Sequence, residues 1–139
     1  MKIRQFRYDA DLVEVRRLWS ESGPGVHLSP SDEPQEIQKK LEQDPDLFLV
    51  AEDDGNIMGT VLGGFDGRRG MVYHLAVKSA YRRKGIGTAL MQELEARFRS
   101  KGCRKYYLLV QKQAQGAFEF YKKFGCEVMD LNLLGKRVP

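Results

Sequence analysis

The stretch YRRKGIGTAL, residues 81–90, joins an apolar run to a long helical pattern and decides how the chain around it folds. Three consecutive cations, residues 82–84, lead into Gly85 and Gly87, and helical periodicity begins directly afterwards. Neither familiar nucleotide-binding glycine motif fits. The sequence has no GxxxxGK[ST] window, and Leu90 stands where a dinucleotide fingerprint needs glycine or alanine. Two interpretations are left: a cradle for an anion, or a solvated charged turn before an ordinary helix.

The cradle has a physical basis at this position. The first backbone N–H groups of a helix have no partner within the helix, and their partial positive charge attracts anions. Because Gly85 and Gly87 lack Cβ atoms, a diphosphate can approach the main chain, while Arg82, Arg83 and Lys84 add positive charge beside it. In the other interpretation the glycines only permit positive φ angles.

The patterns on either side of this stretch predict a mixed α/β layout. Strands are expected over residues 2–6, 47–53, 57–65, 71–77, 105–111 and one or two more within 126–138. Helices are expected over residues 9–21, from Pro34 onward, 87–101 and 114–125. The continuous apolar run 71–77 is typical of a central strand. The Gly-, Pro- and Ser-rich segment 22–34 is expected to be a loop.

Length and composition fit a single domain away from membranes. The chain has 139 residues, of which 42% are hydrophobic and 30% charged. No apolar run is long enough to span a bilayer, and the start MKIRQFRYDA lacks the apolar core of a signal peptide. A cytoplasmic location without membrane contact is therefore the expectation.

Charge and cysteine content restrict the ligands. The net charge of +4 suits an anionic small molecule or weak contact with nucleic acid, and does not choose between them. Cys103 and Cys126 form no CxxC pair, and only two histidines could assist them, so a zinc site is not expected. We interpret both cysteines as small buried hydrophobic residues in a reducing compartment.

Several segments follow the order of a known superfamily. They are LAV (75–77), RRKGIG (82–87) with the pattern [RQ]xxGx[GA], and the AxxFYxxxG positions Ala117, Phe120, Tyr121 and Gly125. The order of these elements resembles the GNAT superfamily of acetyl-CoA-dependent N-acetyltransferases. It is a strand, the glycine turn, a long helix, a strand and the AxxFYxxxG helix. The resemblance covers roughly residues 3–130. LFLVAE, GTVLGGFDGRRG and LGKR are also similar to the YpeA-like subgroup.

The resemblance implies one GNAT domain over residues 1–139, of the α+β, α-β-α class. Its central twisted mixed sheet would have about six to seven strands, flanked by about four helices. It implies acetyl-CoA as co-substrate, no metal, and a primary amine on a small molecule or protein as acceptor. Direct attack of the amine in a ternary complex would transfer the acetyl group.

The resemblance also assigns cofactor-binding residues. They are Leu75, Ala76, Val77, Arg82, Arg83, Lys84, Gly85, Ile86, Gly87, Thr88, Ala117 and Tyr121. Backbone amides from Arg83 to Thr88 would hold the pyrophosphate. A bulge would splay the central strand, so that pantetheine pairs with Leu75 and Val77, and an amide near Leu75 would polarise the thioester carbonyl. The family often has Asn where this chain has Ala114, a departure for which Gln113 or Gln115 could compensate.

Two residues are candidates for the chemistry. Tyr121 occupies the family's general-acid position, where a phenol of ordinary pKa ~10 could protonate the departing sulfur. The other interpretation makes Tyr121 only an aromatic on a buried helix face. No carboxylate lies on the strands around residues 71–77 and 105–111, so His74 is the candidate base, with Glu52 or a water chain as alternatives. Strand alternation predicts His74 on the same face as Val72 and Ala76. A structural, hydrogen-bonded His74 is an equally good interpretation.

The acceptor pocket is expected to draw on the first two helices and the 22–34 loop. Trp19, His27 and Asp32 are candidates to line it. The other interpretation places Trp19 in the core and leaves His27 and Asp32 as solvated loop residues.

Three other functions stay open at the level of sequence. The enzyme could act on peptide α-amines, which would require an open acceptor groove. The domain could sense coenzyme A without turnover. It could also bind nucleic acid weakly through its arginines, although it has no recognised nucleic-acid-binding motif. The final apolar strand could pair across a homodimer.

Overall fold

An antiparallel meander forms most of the sheet. In the computed structural model, which describes residues 1–139, the strands are β1 (Lys2–Gln5), β2 (Phe48–Asp53), β3 (Asn56–Phe65), β4 (Gly70–Val77) and β5 (Tyr106–Leu108). They follow one another across the sheet in chain order, and only β5 is parallel to its neighbour. Asp54 and Gly55 both have positive φ in the β2–β3 turn, as expected of an Asp-Gly hairpin.

Four helices cover the two faces of this sheet. They are α1 (Tyr8–Ser20), α2 (Pro34–Gln43), α3 (Ile86–Ser100) and α4 (Gln115–Phe124). On one face α1 and α2 bury Trp19 and Ile37 against Phe48, and on the other α3 buries Leu90 and Leu94. The spacing of the apolar residues in the sequence predicted these buried helix faces. None of the helices combines the length and apolar character needed to cross a bilayer.

The prediction of six to seven strands is too high, because the final segment of the chain forms no strand. Residues 126–139 form no strand, and Leu131, Leu133 and Leu134 are exposed. The neighbouring strand β5 is also shorter than the predicted 105–111. A strand needs a neighbouring edge with which to pair, and three residues of β5 offer a short one. The apolar pattern of the final segment carries no information about that edge.

A bulge in β4 changes which side chains share a face. Leu62 pairs with His74 and Gly63 pairs with Val72, so Tyr73 is an extra residue in β4. Val72 packs in the α3 core, whereas Ala76 packs in the α1–α2 core. The predicted common face of His74, Val72 and Ala76 is therefore wrong for Val72. Simple alternation fails because the bulge inserts one residue between them.

A buried ion network joins β1, α1 and β2. Arg4 bonds both oxygens of Asp11, at 2.7 and 3.0 Å, and contacts Glu52 at 3.1 Å. The backbone N–H of Arg7 also donates to Asp11, at 2.7 Å. Burial by itself would raise the pKa of Asp11, but the bonds from Arg4 and Arg7 outweigh burial and lower the pKa below its ordinary value.

Asp11→Asn should destabilise the protein and should also weaken the dependence of its stability on pH in the acidic range. We expect a loss of about 3 kcal/mol, the lower end for removing one partner of a buried ion pair, because Glu52 still faces Arg4. A lowered folded-state pKa gives stability that is present above the unfolded pKa and lost as pH falls through the folded one. Urea unfolding from neutral pH to acid would measure both effects, with exposed Asp9→Asn as control. Equal stability of Asp11→Asn and Asp9→Asn would contradict the network's importance.

Candidate functional site

A gap opens in the sheet between β4 and β5. The two strands pair only from Gly70–Tyr106 to Val72–Leu108, so the rest of β4 has no neighbour on that edge. The pairing ends immediately before the bulge at Tyr73. The splayed strand predicted from the family resemblance is therefore present.

The register of β3 and β4 fixes which main-chain groups face this gap. The N–H of Lys78 donates to the C=O of Met58 at 2.8 Å, which makes their pair hydrogen-bonded. Antiparallel pairs alternate, so Ala76 bonds toward β3, whereas the N–H and C=O groups of Leu75 and Val77 point into the gap. The C=O of Val77 already accepts a bond from Arg82 Nε at 3.0 Å. The main-chain groups of Leu75 and the N–H of Val77 are left for a ligand, whereas those of Ala76 are not.

A turn with unpaired amides stands at the end of this gap. Arg83 and Gly85 have positive φ, 63° and 81°, and α3 begins at the next residue, Ile86. The first hydrogen bond of the helix runs from the N–H of Ala89 to the C=O of Gly85, at 3.0 Å. No backbone acceptor meets the N–H groups of residues 83–88. Consecutive N–H groups in such a turn form a concave site for an anion.

The surroundings of this turn are positive. Arg82, Arg83 and Lys84 are exposed, and none of them takes part in an ion pair with a carboxylate. Lys84 Nζ lies 5.8 Å from the centre of the Tyr81 ring. A Cβ atom on Gly87 would lie 3.4 Å from Phe120 of α4, so the glycine sits where α3 and α4 approach each other. The charges of the turn are thus free to meet an anionic ligand.

Tyr121 lies on α4 beside this region. Its ring meets that of Phe120 edge-on, with centroids 5.3 Å apart, and both pack against the α3 core. Burial raises the pKa of Tyr121, and the nearby Cys126 adds to the shift. The hydroxyl therefore stays protonated at neutral pH, as a proton donor must.

The start of α4 carries the departure from the family pattern. Ala114 is buried and provides the C=O that begins the helix, bonded by the N–H of Phe118 at 3.0 Å. Gln115 donates to the C=O of Lys112 at 3.1 Å, and Gln113 is exposed. Ala117, in the first turn of α4, is partly buried. Of the two glutamines, Gln113 is the one whose side chain makes no hydrogen bond within the chain.

His74 forms a contact that the sequence did not foretell. Its Nε2 atom lies 2.8 Å from Oδ1 of Asp32, and its ring meets Trp19 edge-on at 4.9 Å. Asp32 is buried, so its interpretation as a solvated loop residue is wrong. Trp19 is a core residue, and His27 is exposed. The structure thus brings three of the four candidates together on the face of β4 that α1 and α2 cover.

A signal for Asp32 was present in the sequence. Ser29 and Asp32 form a reciprocal capping box around a short 3-10 turn, in which Asp32 Oδ2 accepts from the N–H of Ser29 at 3.0 Å. The spacing S-x-x-D just before Pro34 is the pattern of such a box. It would have predicted an ordered Asp32, although not its partner on β4.

Glu52 is poorly placed to act as the base. Its carboxylate is bonded to Arg4, and that bond lowers the pKa of Glu52 below its ordinary value. A carboxylate stabilised in its charged form has less tendency to accept a proton. No three His, Cys, Asp or Glu side chains are grouped so as to hold a metal ion, and both cysteines are unpaired and partly buried.

Comparison with known proteins gives a consistent result. Residues 12–126 match the family described as Acetyltransferase (GNAT) family. An acetyltransferase of Pectobacterium atrosepticum is 42% identical over 139 residues, which is 99% of this chain and 96% of that protein. Ard1 of Thermoplasma volcanium superposes with a TM-score of 0.78 at 26% identity, covering 89% of this chain and 80% of that one. The PaiA N-acetyltransferase of Thermoplasma acidophilum, solved with coenzyme A, has the same fold: TM-score 0.77, 24% identity, 94% and 92% coverage.

Proposed function

This chain belongs to the acetyltransferase (GNAT) family and is an N-acetyltransferase that uses acetyl-CoA, and we propose that it acetylates a primary amine by direct attack in a ternary complex. The unpaired amides of residues 83–88 carry this proposal, because they stand next to the gap in which Leu75 presents its main chain. The amides of residues 83–88 would hold the pyrophosphate, and the main chain of Leu75 would pair with the pantetheine arm. The YpeA-like subgroup, a cytoplasmic location and a homodimer stay predictions.

The proposed reaction has three steps, and a different group of the protein assists each of them. A base removes one proton from the ammonium group of the acceptor, and His74 is our candidate. The free amine attacks the acetyl carbonyl, whose oxygen gains negative charge and is stabilised by the N–H of Leu75. The C–S bond then breaks and Tyr121 gives its proton to the sulfur, while the nitrogen loses its second proton, which restores the Tyr121 hydroxyl through solvent. The products are the acetylated amine, free coenzyme A thiol and one proton released to water.

Titration calorimetry with acetyl-CoA, followed by an amine-dependent thiol-release assay, tests this function. We expect saturable one-to-one binding that weakens with salt, because cations and amides together hold a diphosphate. The assay would offer small polyamines and peptides with free α- or ε-amines, and mass spectrometry would count one acetyl group gained per thiol released.

The outcomes separate the competing functions. Binding without thiol release for any amine would favour a coenzyme A sensor, which needs the cradle but neither Tyr121 nor a base. No binding of acetyl-CoA would overturn the proposed role of residues 83–88. Release with α-amino peptides alone would place the enzyme among peptide α-amine acetyltransferases.

A further inference from the structure

Asp32 and His74 come from segments that are far apart in the chain, and their side chains are in contact in the fold. Asp32 stands in the short turn before α2, and His74 stands in β4 directly after the bulge. Their side chains are only 9% and 11% exposed, and the contact between Oδ1 and Nε2 measures 2.8 Å. The second oxygen of Asp32 is occupied by the N–H of Ser29 at 3.0 Å. Both oxygens of this carboxylate therefore lie within hydrogen-bond distance of a nitrogen atom.

This contact determines the tautomer of the imidazole. An ionised carboxylate only accepts hydrogen bonds, so Nε2 of His74 must be the donor. In a neutral ring the other nitrogen, Nδ1, then carries a lone pair and no proton. From this arrangement we propose that Asp32 is a positioning residue, which holds His74 in the tautomer whose Nδ1 takes the proton of the acceptor amine. The inference rests on the proposed function.

Nδ1 of His74 is free to meet an amine. It makes no hydrogen bond within the chain, and the only buried polar side-chain atoms without a partner are Arg4 Nε and Trp19 Nε1. Nδ1 is therefore not fully buried, although most of the ring is covered. Trp19 supports the ring edge-on at 4.9 Å and restricts its rotation. His74 directly precedes Leu75 in β4, and the N–H of Leu75 faces the gap.

The proposed step moves one proton from the acceptor amine to His74. The acceptor enters as an ammonium ion, and one of its protons moves to Nδ1, either directly or through one water. The N–H bond of the ammonium breaks, the Nδ1–H bond forms, and the ring becomes imidazolium. Asp32 stabilises that positive charge through Oδ1 without taking the proton itself. The imidazolium returns its proton to water after the acetyl group has been transferred.

Asp32→Asn is the decisive variant because an amide has one acceptor oxygen where a carboxylate has two. The asparagine can therefore accept a hydrogen bond from Ser29 or from His74, but not from both. The backbone N–H of Ser29 cannot change, whereas an imidazole can move its proton from one nitrogen to the other. The asparagine oxygen should therefore face Ser29, and its NH₂ group should face Nε2 of His74. Nε2 then becomes the acceptor and Nδ1 carries the proton, so the ring loses its capacity as a base at Nδ1.

Kinetics and nitrogen-15 NMR of this variant test the inference together. With the most active amine, kcat should fall on the order of 100-fold, the contribution of a general base, while the Kd for acetyl-CoA is unchanged. Long-range proton–nitrogen spectra should show the proton on Nε2 in the parent protein and on Nδ1 in Asp32→Asn. The chain has two histidines, so a His27→Gln background, used for the spectra alone, leaves only the signals of His74.

Two further variants separate positioning from a structural role. Ser29→Ala breaks the bond from the N–H of Ser31 to Ser29 Oγ, at 3.2 Å, and so weakens the same capping box without touching His74. Its kcat should stay at the parent value. In a His74→Gln background, Asp32→Asn should cost nothing further, because the two residues act as one unit.

Each outcome decides the matter. A parent enzyme that turns over amines, with unchanged kcat in Asp32→Asn or with the same tautomer in both proteins, would overturn the inference and leave the proposed function standing. Equal losses in Ser29→Ala and Asp32→Asn would reduce Asp32 to a structural cap. A parent protein inactive with every amine would overturn the proposed function and the catalytic value of the pair, while the spectra would still decide whether Asp32 sets the tautomer.

Discussion

Replacing Gly87 with aspartate is expected to remove the binding of acetyl-CoA while leaving the fold intact. Gly87 is the second residue of α3 and lies among the unpaired amides of residues 83–88. A carboxylate there would compete with the pyrophosphate for the same N–H groups and would repel it. Like charges brought together at an interface cost several kcal/mol, so we expect Kd to rise at least ~100-fold.

The fold should tolerate the substitution of Gly87 by aspartate. The new Cβ atom would lie 3.4 Å from Phe120 Cζ, which is ordinary van der Waals contact. An acidic side chain in the first turn of a helix interacts favourably with the helix dipole, by about 0.3–1 kcal/mol. The melting temperature of Gly87→Asp should therefore equal or exceed that of the parent protein, so that a loss of binding cannot be attributed to unfolding.

Gln35→Asp provides a matched control for this variant. Gln35 is exposed and is the second residue of α2, so the substitution adds the same carboxylate at the same helical position elsewhere. Both variants also change the net charge equally. Calorimetry should show parent-like binding for Gln35→Asp. If Gly87→Asp also bound acetyl-CoA like the parent, the amides of residues 83–88 would not be the site.

Local patterns in the sequence predicted the glycine turn before α3 and most helices and strands well. Arg82 to Gly87 carry their conformational requirement within a few residues, since a turn into a helix start depends on glycines and unpaired amides nearby. The Asp54–Gly55 hairpin depends on the same kind of local requirement, because an Asp-Gly pair readily adopts the positive φ angles of a tight turn. Where the structure is set by neighbours along the chain, the sequence is sufficient.

Features that depend on distant partners escaped the sequence. The bulge at Tyr73 appears only when β4 is aligned with β3, and it reverses the expected face of His74 relative to Val72. Asp32 meets His74 from a position 42 residues earlier, which no local pattern can indicate. The final strands were predicted from alternation alone, and residues 126–139 have no strand partner. Register and pairing are properties of the assembled sheet.

Tyr121→Phe should lower kcat at saturating acetyl-CoA on the order of 100-fold, the usual contribution of a general acid. The change removes one oxygen and keeps the ring, so packing against Phe120 and the α3 core is retained. The Kd for acetyl-CoA should change little, because the hydroxyl is needed when the C–S bond breaks and the sulfur becomes a thiolate. Calorimetry and steady-state thiol release would measure the two quantities separately.

The raised pKa of Tyr121 adds an expectation on the alkaline side. A phenol held protonated by burial remains a donor as pH rises to its ordinary ~10, so kcat should not decline there through loss of this proton. Tyr107→Phe is the control, because Tyr107 stacks beneath Arg69 and Lys105 at the surface and its loss should leave kcat unchanged. A Tyr121→Phe enzyme with the kcat of the parent would show that the sulfur leaves without this proton. The aromatic ring would then serve only to pack α4 against α3, and protonation of the thiolate would fall to water.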